Sequence, residues 1–278
     1  MPFIYACSDI HGFLEPLEEI LCLIDLSNTD NKLIFCGDYI DYGKNSCKVL
    51  YRIKELTERY PKQVITLMGN HEYMFLEFLS VRDSDIQAIE WLAADKDFLT
   101  INSFISYDTK TAISIHINQS RANNYFSVFE KCIPIIKQDI LSNHSELIRW
   151  IKSLPYYYET EDQIFVHAGL DEDAEEFWQW GTPEELFVSK YPATFGKFYK
   201  DIIAGHVSAS SLAKDRTFTD IYWDNKSHYF IDGNTNYSGM IPLLKYDTIN
   251  KSYWCIKVQQ ETKSKDGKII TEKEILNI

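Results

Sequence analysis

Five short polar segments, each placed directly after an apolar run of strand type, constrain this chain more than any other feature. They read Ser8-Asp9-Ile10-His11-Gly12, Gly37-Asp38-Tyr39-Ile40-Asp41-Tyr42-Gly43, Gly69-Asn70-His71-Glu72, Val166-His167-Ala168-Gly169 and Ala204-Gly205-His206. The runs before them cover residues 3–7, 33–36, 64–68, 164–166 and 202–203. In open α/β sheets, ligands bind just beyond the carboxyl ends of the strands. Five such ends carrying Asp, Asn and His can therefore meet at one point. A single Asp-x-His carries almost no information, whereas five clusters in this order are hard to obtain by chance.

The first eighty residues alternate strand and helix. Apolar residues at Phe13, Leu14, Leu17, Ile20, Leu21 and Ile24 have helical spacing, with Pro16 tolerated in a first turn. A second stripe, Val49, Leu50, Ile53 and Leu56, ends at Tyr60-Pro61. Each leads to another strand, which predicts βαβαβ topology and a mainly parallel sheet. Residues 73–155 read as mostly helical, over 74–79, 86–92, 125–140 and 146–154. A kink or break is expected at Pro134. This block looks like an insertion or cap beside the site, a common place for substrate selection. From 163 onward strands dominate, at 163–166, 201–204, 229–232, 241–247 and 252–258. Asp266-Gly267 reads as a hairpin turn, and the polar last twenty residues as an edge ribbon or tail.

Two aspartates, three histidines and one asparagine of these segments form a metal-type donor set. Asp9 and His11, two apart where a strand opens into a loop, can reach one ion together with Asp38. Asp38 can bridge to a second ion held by Asn70, His167 and His206. Mixed oxygen and imidazole donors suit Mn²⁺, Fe²⁺/³⁺ or Zn²⁺ better than Ca²⁺. Manganese is the expected metal. Two such ions about 3.5–4 Å apart can hold a hydroxide at neutral pH and clamp phosphoryl oxygens. His71, next to Asn70, is placed to protonate a leaving oxygen. Asp41 can hold its imidazole, as carboxylates do for working histidines. His116, His144 and His228 sit in no motif and are read as structural.

Bulk properties set limits around this. The chain has 278 residues and a net charge of −13, without the basic stripe that nucleic-acid binding requires. No apolar run approaches the roughly 18 residues needed to span a bilayer. The N-terminus lacks a basic leader, and six scattered cysteines form no CxxC pair. A cytoplasmic protein with reduced thiols is expected. Aromatic residues over 178–199 are read as packing or a pocket rim.

These segments resemble the phosphoprotein phosphatase family of calcineurin-like metallophosphoesterases, in its bacterial serine/threonine phosphatase type. The family pattern GDxHG, GDxxDRG, GNHE, HAG and GH is matched by Ser8 to Gly12, Gly37 to Gly43, Gly69 to Glu72, His167 to Gly169 and Gly205-His206. Ile231-Asp232-Gly233 and residues 237–247 resemble its closing strand pair. The resemblance implies an α/β (α+β) fold, a central β-sandwich flanked by helices, over residues 1–247, with 248–278 extending the same domain. It implies a hydrolase of phosphomonoesters that uses two divalent metal ions and attack by metal-bound hydroxide. The implied partner is a phosphorylated protein or a small phosphorylated metabolite.

Two departures stand out. Tyr42 occupies the place of an arginine that grips substrate phosphate bidentately in the family, which a phenol cannot reproduce. The second phosphate-binding arginine is missing from residues 177–185. Tyr42 becomes the candidate substrate contact, and Lys44, Lys190, Lys197 and Arg216 are possible replacements. The alternatives to a serine/threonine phosphatase are a hydrolase of dinucleoside polyphosphates or other small phosphorylated metabolites, and a metal-containing binding module of low activity.

Overall fold

Alternation along the strands decides the layers of this molecule. A computed structural model describes residues 2–119, 125–260 and 268–275. Strands β1 (Phe3–Cys7), β2 (Lys32–Phe35) and β3 (Val64–Thr66) pair in parallel. Helices α1 (Leu14–Leu21) and α2 (Ser46–Arg59) connect them. Pro16 lies in the first turn of α1, and α2 ends at Tyr60, before Pro61. A second sheet contains β4 (Tyr157–Glu159), β5 (Gln163–Val166), β6 (Asp201–Ala204), β7 (Tyr222–Trp223) and β8 (His228–Phe230), in the order β4-β5-β6-β8-β7.

Successive side chains of a strand point to opposite faces. Ile4, Ala6, Ile34 and Cys36 of the first sheet meet Phe165, Ile203 and Tyr229 of the second in one buried cluster. Tyr5, Cys7, Leu33 and Phe35 point the other way, onto Leu17 and Ile20 of α1 and Val49, Leu50 and Ile53 of α2. On the far side of the second sheet, Ile164, Val166, Ile202 and Phe230 pack under Trp178 and Phe187. These belong to the short helices α9 (Trp178–Gly181) and α10 (Glu184–Ser189), which follow the helices named below. The result is the expected β-sandwich flanked by helices.

The parallel sheet expected from βαβαβ is only half of the first layer. The strands β9 (Leu243–Asp247), β10 (Ser252–Gln260) and β11 (Lys268–Ile275) complete it as β11-β10-β9-β1-β2-β3. All three of their pairings are antiparallel. Short connections join β9 to β10 and β10 to β11, whereas parallel pairing needs a crossover of a dozen or more residues. β11 is the edge ribbon expected at the C-terminus; the Asp266-Gly267 turn lies outside the described residues.

Between β3 and β4 the chain is helical: α3 (Asn70–Ser80), α4 (Ile86–Ala94), α5 (Leu99–Phe104), α6 (Tyr107–Gln119), α7 (Tyr125–Asn143) and α8 (Ser145–Ile151). α5 and α6 have no counterpart in the sequence reading. Of the kink or break expected at Pro134, the break is absent, since α7 runs through it as one helix. Val128, Cys132, Ile133, Ile136 and Ile140 bury its inner face on both sides of the proline. That packing outweighs one lost backbone hydrogen bond. The six cysteines are free thiols, all but Cys22 buried. Among the described residues, no helix is long and apolar enough to cross a membrane.

Candidate metal and phosphoryl site

The two sheets bring their carboxyl-terminal loops to one edge of the sandwich. The loop after β1 runs beside the loop after β2, where Asp9, His11 and Gly12 donate their N–H groups to the carbonyls of Gly37, Asp38 and Tyr39 at 3.1, 3.0 and 2.7 Å. Across the sandwich, the Gly205 N–H reaches the His167 carbonyl at 2.7 Å, and the His206 N–H reaches Asp9 Oδ2 at 3.1 Å. Approach is so close that a Cβ on Gly205 would lie 2.1 Å from Ser8 Oγ, and one on Gly69 2.2 Å from the Asp38 nitrogen. Only glycine fits at either place. Asp9, His11, Asp38, Asp41, Tyr42 and His206 all take positive φ, between 49 and 73°. For non-glycine residues this costs roughly 1–2 kcal/mol each. Such strain persists where the surroundings over-determine it, as they do at functional sites.

Asp38 is the centre of the arrangement. Its Oδ2 lies 3.3 Å from His167 Nε2, 3.7 Å from His71 Nε2 and 3.9 Å from His11 Nε2. Three imidazoles therefore face it, and each is tied by its other nitrogen. His11 Nδ1 donates to the Ile40 carbonyl at 2.8 Å and His167 Nδ1 to the Cys36 carbonyl at 2.8 Å. His71 Nδ1 donates to Asp41 Oδ2 at 2.5 Å. Asn70, the first residue of α3, places its Oδ1 2.8 Å from His167 Nε2 and 3.0 Å from His206 Nδ1. Asp9 Oδ1 is 3.8 Å from His11 Nε2.

Two groups of donor atoms close enough to hold a cation result: His11, Asp38 and His71, and Asp38, His167 and His206. They share Asp38, the residue expected to bridge. The first group contains His71 where the sequence reading has Asp9. Asp9 stands beside His11, with its other oxygen taken by the His206 N–H.

Electrostatics favour cations here. Asp9, Asp38, Glu72 and Asp232 are buried, and among the described residues none is paired with a lysine or arginine. Burial, then the neighbouring Asp232 charge, pushes Asp9 well above the usual carboxylate range. Burial alone would raise Asp38 too, but His167, His71 and His11 hold it far below that range. Burial works against a charged imidazole at His71 and His167, yet the Asp38 carboxylate raises them to about 10 and about 9. Burial instead lowers His11 and His206 to about 4. Protons thus collect around Asp38, where positive charge is wanted. Together with imidazoles pre-oriented by outer hydrogen bonds, as ligating histidines generally are, this donor set fits divalent metal ions.

Two residues here had no assigned role in the sequence reading. Glu72 is fully buried, and its carboxylate accepts the N–H groups of Asp38, Tyr39 and Ile40 at 2.9, 2.8 and 3.2 Å. It shapes the loop that presents Asp38. Burial and the charge on Asp38 raise it to about 7. Asp232 lies just beyond β8 and is raised by burial to about 6. Its signal was present in the sequence, since Tyr229-Phe230-Ile231 ends in Asp232-Gly233 like the other strand-end clusters.

Tyr42 is 50 % exposed, and its ring packs edge-on against His11 and His71, with centroids 4.8 and 5.5 Å apart. It lies over the two imidazoles at the edge of the site. Lys190 is engaged by Glu172 and by the Leu170 carbonyl. Trp178 is core, with its indole N–H on Tyr199. His144 and His228 bond to groups away from the site, His144 to the Phe104 carbonyl and His228 to Asp224.

The family model described as calcineurin-like phosphoesterase matches residues 4–236. A curated relative, the serine/threonine-protein phosphatase rdgC of Drosophila melanogaster, is 36% identical over 67 residues, which is 24% of this chain. The chain thus matches about 10% of that relative's length. Among solved structures, a cold-active protein-tyrosine phosphatase of a psychrophilic Shewanella aligns at TM-score 0.55 and 16% identity, over 99% of this chain and 80% of its own. A candidate diadenosine tetraphosphatase aligns at TM-score 0.53 and 13% identity, over 92% and 93%. At these identities the likeness is one of fold.

Proposed function

Since the chain belongs to the calcineurin-like phosphoesterases, a family of hydrolases, we propose that it cleaves phosphomonoesters, as serine/threonine protein phosphatases do, with two divalent cations held around Asp38. Asp9, His11 and Asp38 would hold one; Asp38, Asn70, His167 and His206 the other. Mn²⁺ suits this oxygen and imidazole set, and Fe or Zn can also occupy it. Bound there, divalent cations neutralise phosphoryl charge and bring the pKa of a water down toward 7.

The protein's own groups do the rest. His71 presents Nε2 toward the centre and carries a proton for the leaving oxygen. Asp41 fixes the ring through Nδ1, and the Thr100 hydroxyl fixes Asp41 through its other oxygen at 2.6 Å. Thr100 is itself set by Asp95, which accepts the N–H groups of Thr100 and Ile101 at the start of α5. The observation that carries this reading is the trio of imidazoles, each anchored by one nitrogen and aimed at Asp38 by the other.

The test is release of inorganic phosphate by Mn²⁺-loaded protein from phosphoserine and phosphotyrosine peptides, a small phosphomonoester and diadenosine tetraphosphate. Monoester turnover supports the reading. Cleavage of the tetraphosphate alone would replace it with the dinucleoside polyphosphate alternative.

A further inference from the structure

A cavity of about 360 Å³ opens beside His71, Asp41 and Tyr42. One helix connects it to the site. α3 begins at Asn70 and His71 and continues through Met74 and Phe78, so His71, Met74 and Phe78 recur at the i, i+3, i+7 spacing of one face. Met74, Phe78 and Trp91 form its apolar wall. Trp91, from α4, is held by stacking on Phe78 with centroids 4.5 Å apart and by Phe75 at 5.5 Å. The wall is therefore largely aromatic.

Its exposed charges are mainly acidic. Glu77, Glu90 and Asp95 also line it, with Lys96 as the single lysine or arginine among the described lining residues. Among the described residues, no ion pair engages Glu77 or Glu90. None of Lys44, Lys190, Lys197 and Arg216 belongs to the described lining.

We infer that this cavity holds the leaving group of the substrate, and that it selects an uncharged aryl group over an anionic one. The inference rests on the proposed reaction, because it is His71 that marks where the leaving oxygen emerges. A phosphoryl group centred at Asp38 with its leaving oxygen toward His71 Nε2 projects its alcohol into this cavity. The volume lies at the small end of the roughly 300–1,000 Å³ typical of ligand pockets, which suits one or two rings. A polyphosphate leaving group would meet an acidic mouth and an apolar wall, with like charges repelling it. The shared chemistry is an aryl phosphomonoester, whether a free metabolite or a tyrosyl phosphate in a peptide.

Affinities of non-hydrolysable phosphonates for the Mn²⁺-loaded protein, measured by calorimetry, test this without turnover. The wild type should bind 1-naphthylphosphonate about tenfold more tightly than methylphosphonate, a difference that an aromatic wall readily supplies. Trp91→Ala should bring that ratio close to one. Phenylphosphonate should bind more tightly than 4-carboxyphenylphosphonate, and the exposed pair Glu77→Lys with Glu90→Lys should reverse the order. Equal affinities in the wild type, or ratios that neither variant moves, would overturn the assignment. Intact aryl preference in protein that hydrolyses no phosphomonoester would keep the cavity as an aryl-binding site, but would overturn the proposed reaction and with it the leaving-group role. Free O-phosphotyrosine and a phosphotyrosyl peptide then separate the two sources. Better turnover of either supports an aryl site, and a phosphoserine peptide outrunning both contradicts it.

Discussion

The carboxylate of Asp41 accepts the Nδ1–H of His71 at 2.5 Å, and this contact turns Nε2 toward Asp38 Oδ2, 3.7 Å away. His71 Nε2 also lies in a group of donor atoms that could hold a cation, so a variant must tell a proton donor from a metal ligand. His71→Asn should lower kcat by about 10²–10⁴-fold on an alkyl phosphomonoester, whose poor leaving group needs the proton. The loss should be smaller on p-nitrophenyl phosphate, and metal content should stay at two ions per chain. Metal lost in parallel with activity would instead make His71 a ligand.

Asp41 acts through His71, and its variant should show that in a pH profile. Burial disfavours the charged His71 ring, but Asp38 and the Asp41 hydrogen bond raise it to about 10. A general acid works only while protonated, so activity falls as pH rises past its pKa. Asp41→Asn removes part of the support and should move the alkaline limb of kcat to lower pH. An unshifted limb with reduced kcat would mean that Asp41 only shapes the loop.

Glu72 offers a test of how the Asp38 loop is built. Glu72→Ala leaves three N–H groups at Asp38, Tyr39 and Ile40 without their acceptor. Buried donors left unsatisfied cost about 1–3 kcal/mol each. The expected drop in Tm, by calorimetry, is about 5–10 °C, with Glu72→Gln intermediate. An unchanged Tm would contradict the role.

Metal binding should release protons. Without metal, His71 and His167 sit at about 10 and about 9 because Asp38 outweighs the effect of burial, so both rings carry protons at pH 8. A cation at His167 Nε2 must displace one. Mn²⁺ affinity should therefore rise as pH increases from 7 toward 9, and binding heats should differ between buffers of different ionisation enthalpy. Affinity constant over that window would contradict the placement of the cation at His167.

Much of the site was legible because its residues end strands, where a two-residue periodicity breaks into a polar turn. Asp9, Asp38, Asn70, His167 and His206 converge for that reason. Asp232 obeys the same pattern, at the end of β8, yet it drew no role. Thr100 carried no local signal at all; its contact with Asp41 spans 59 residues and depends on how α5 packs. The antiparallel half of the first sheet was hidden because the strand patterns at 241–247 and 252–258 do not say which strands they pair with. Pro134 does not end its helix because burial along α7 overrides the local rule.

The most direct measurement is a Mn²⁺ titration of metal-stripped protein, following bound metal and p-nitrophenyl phosphate hydrolysis together, with Asp38→Asn alongside. The structure predicts activity rising as two ions bind per chain, and an Asp38→Asn variant that folds but neither loads both ions nor turns over. Hydrolysis by stripped protein, or full loading and activity in Asp38→Asn, would contradict a reaction centred on Asp38.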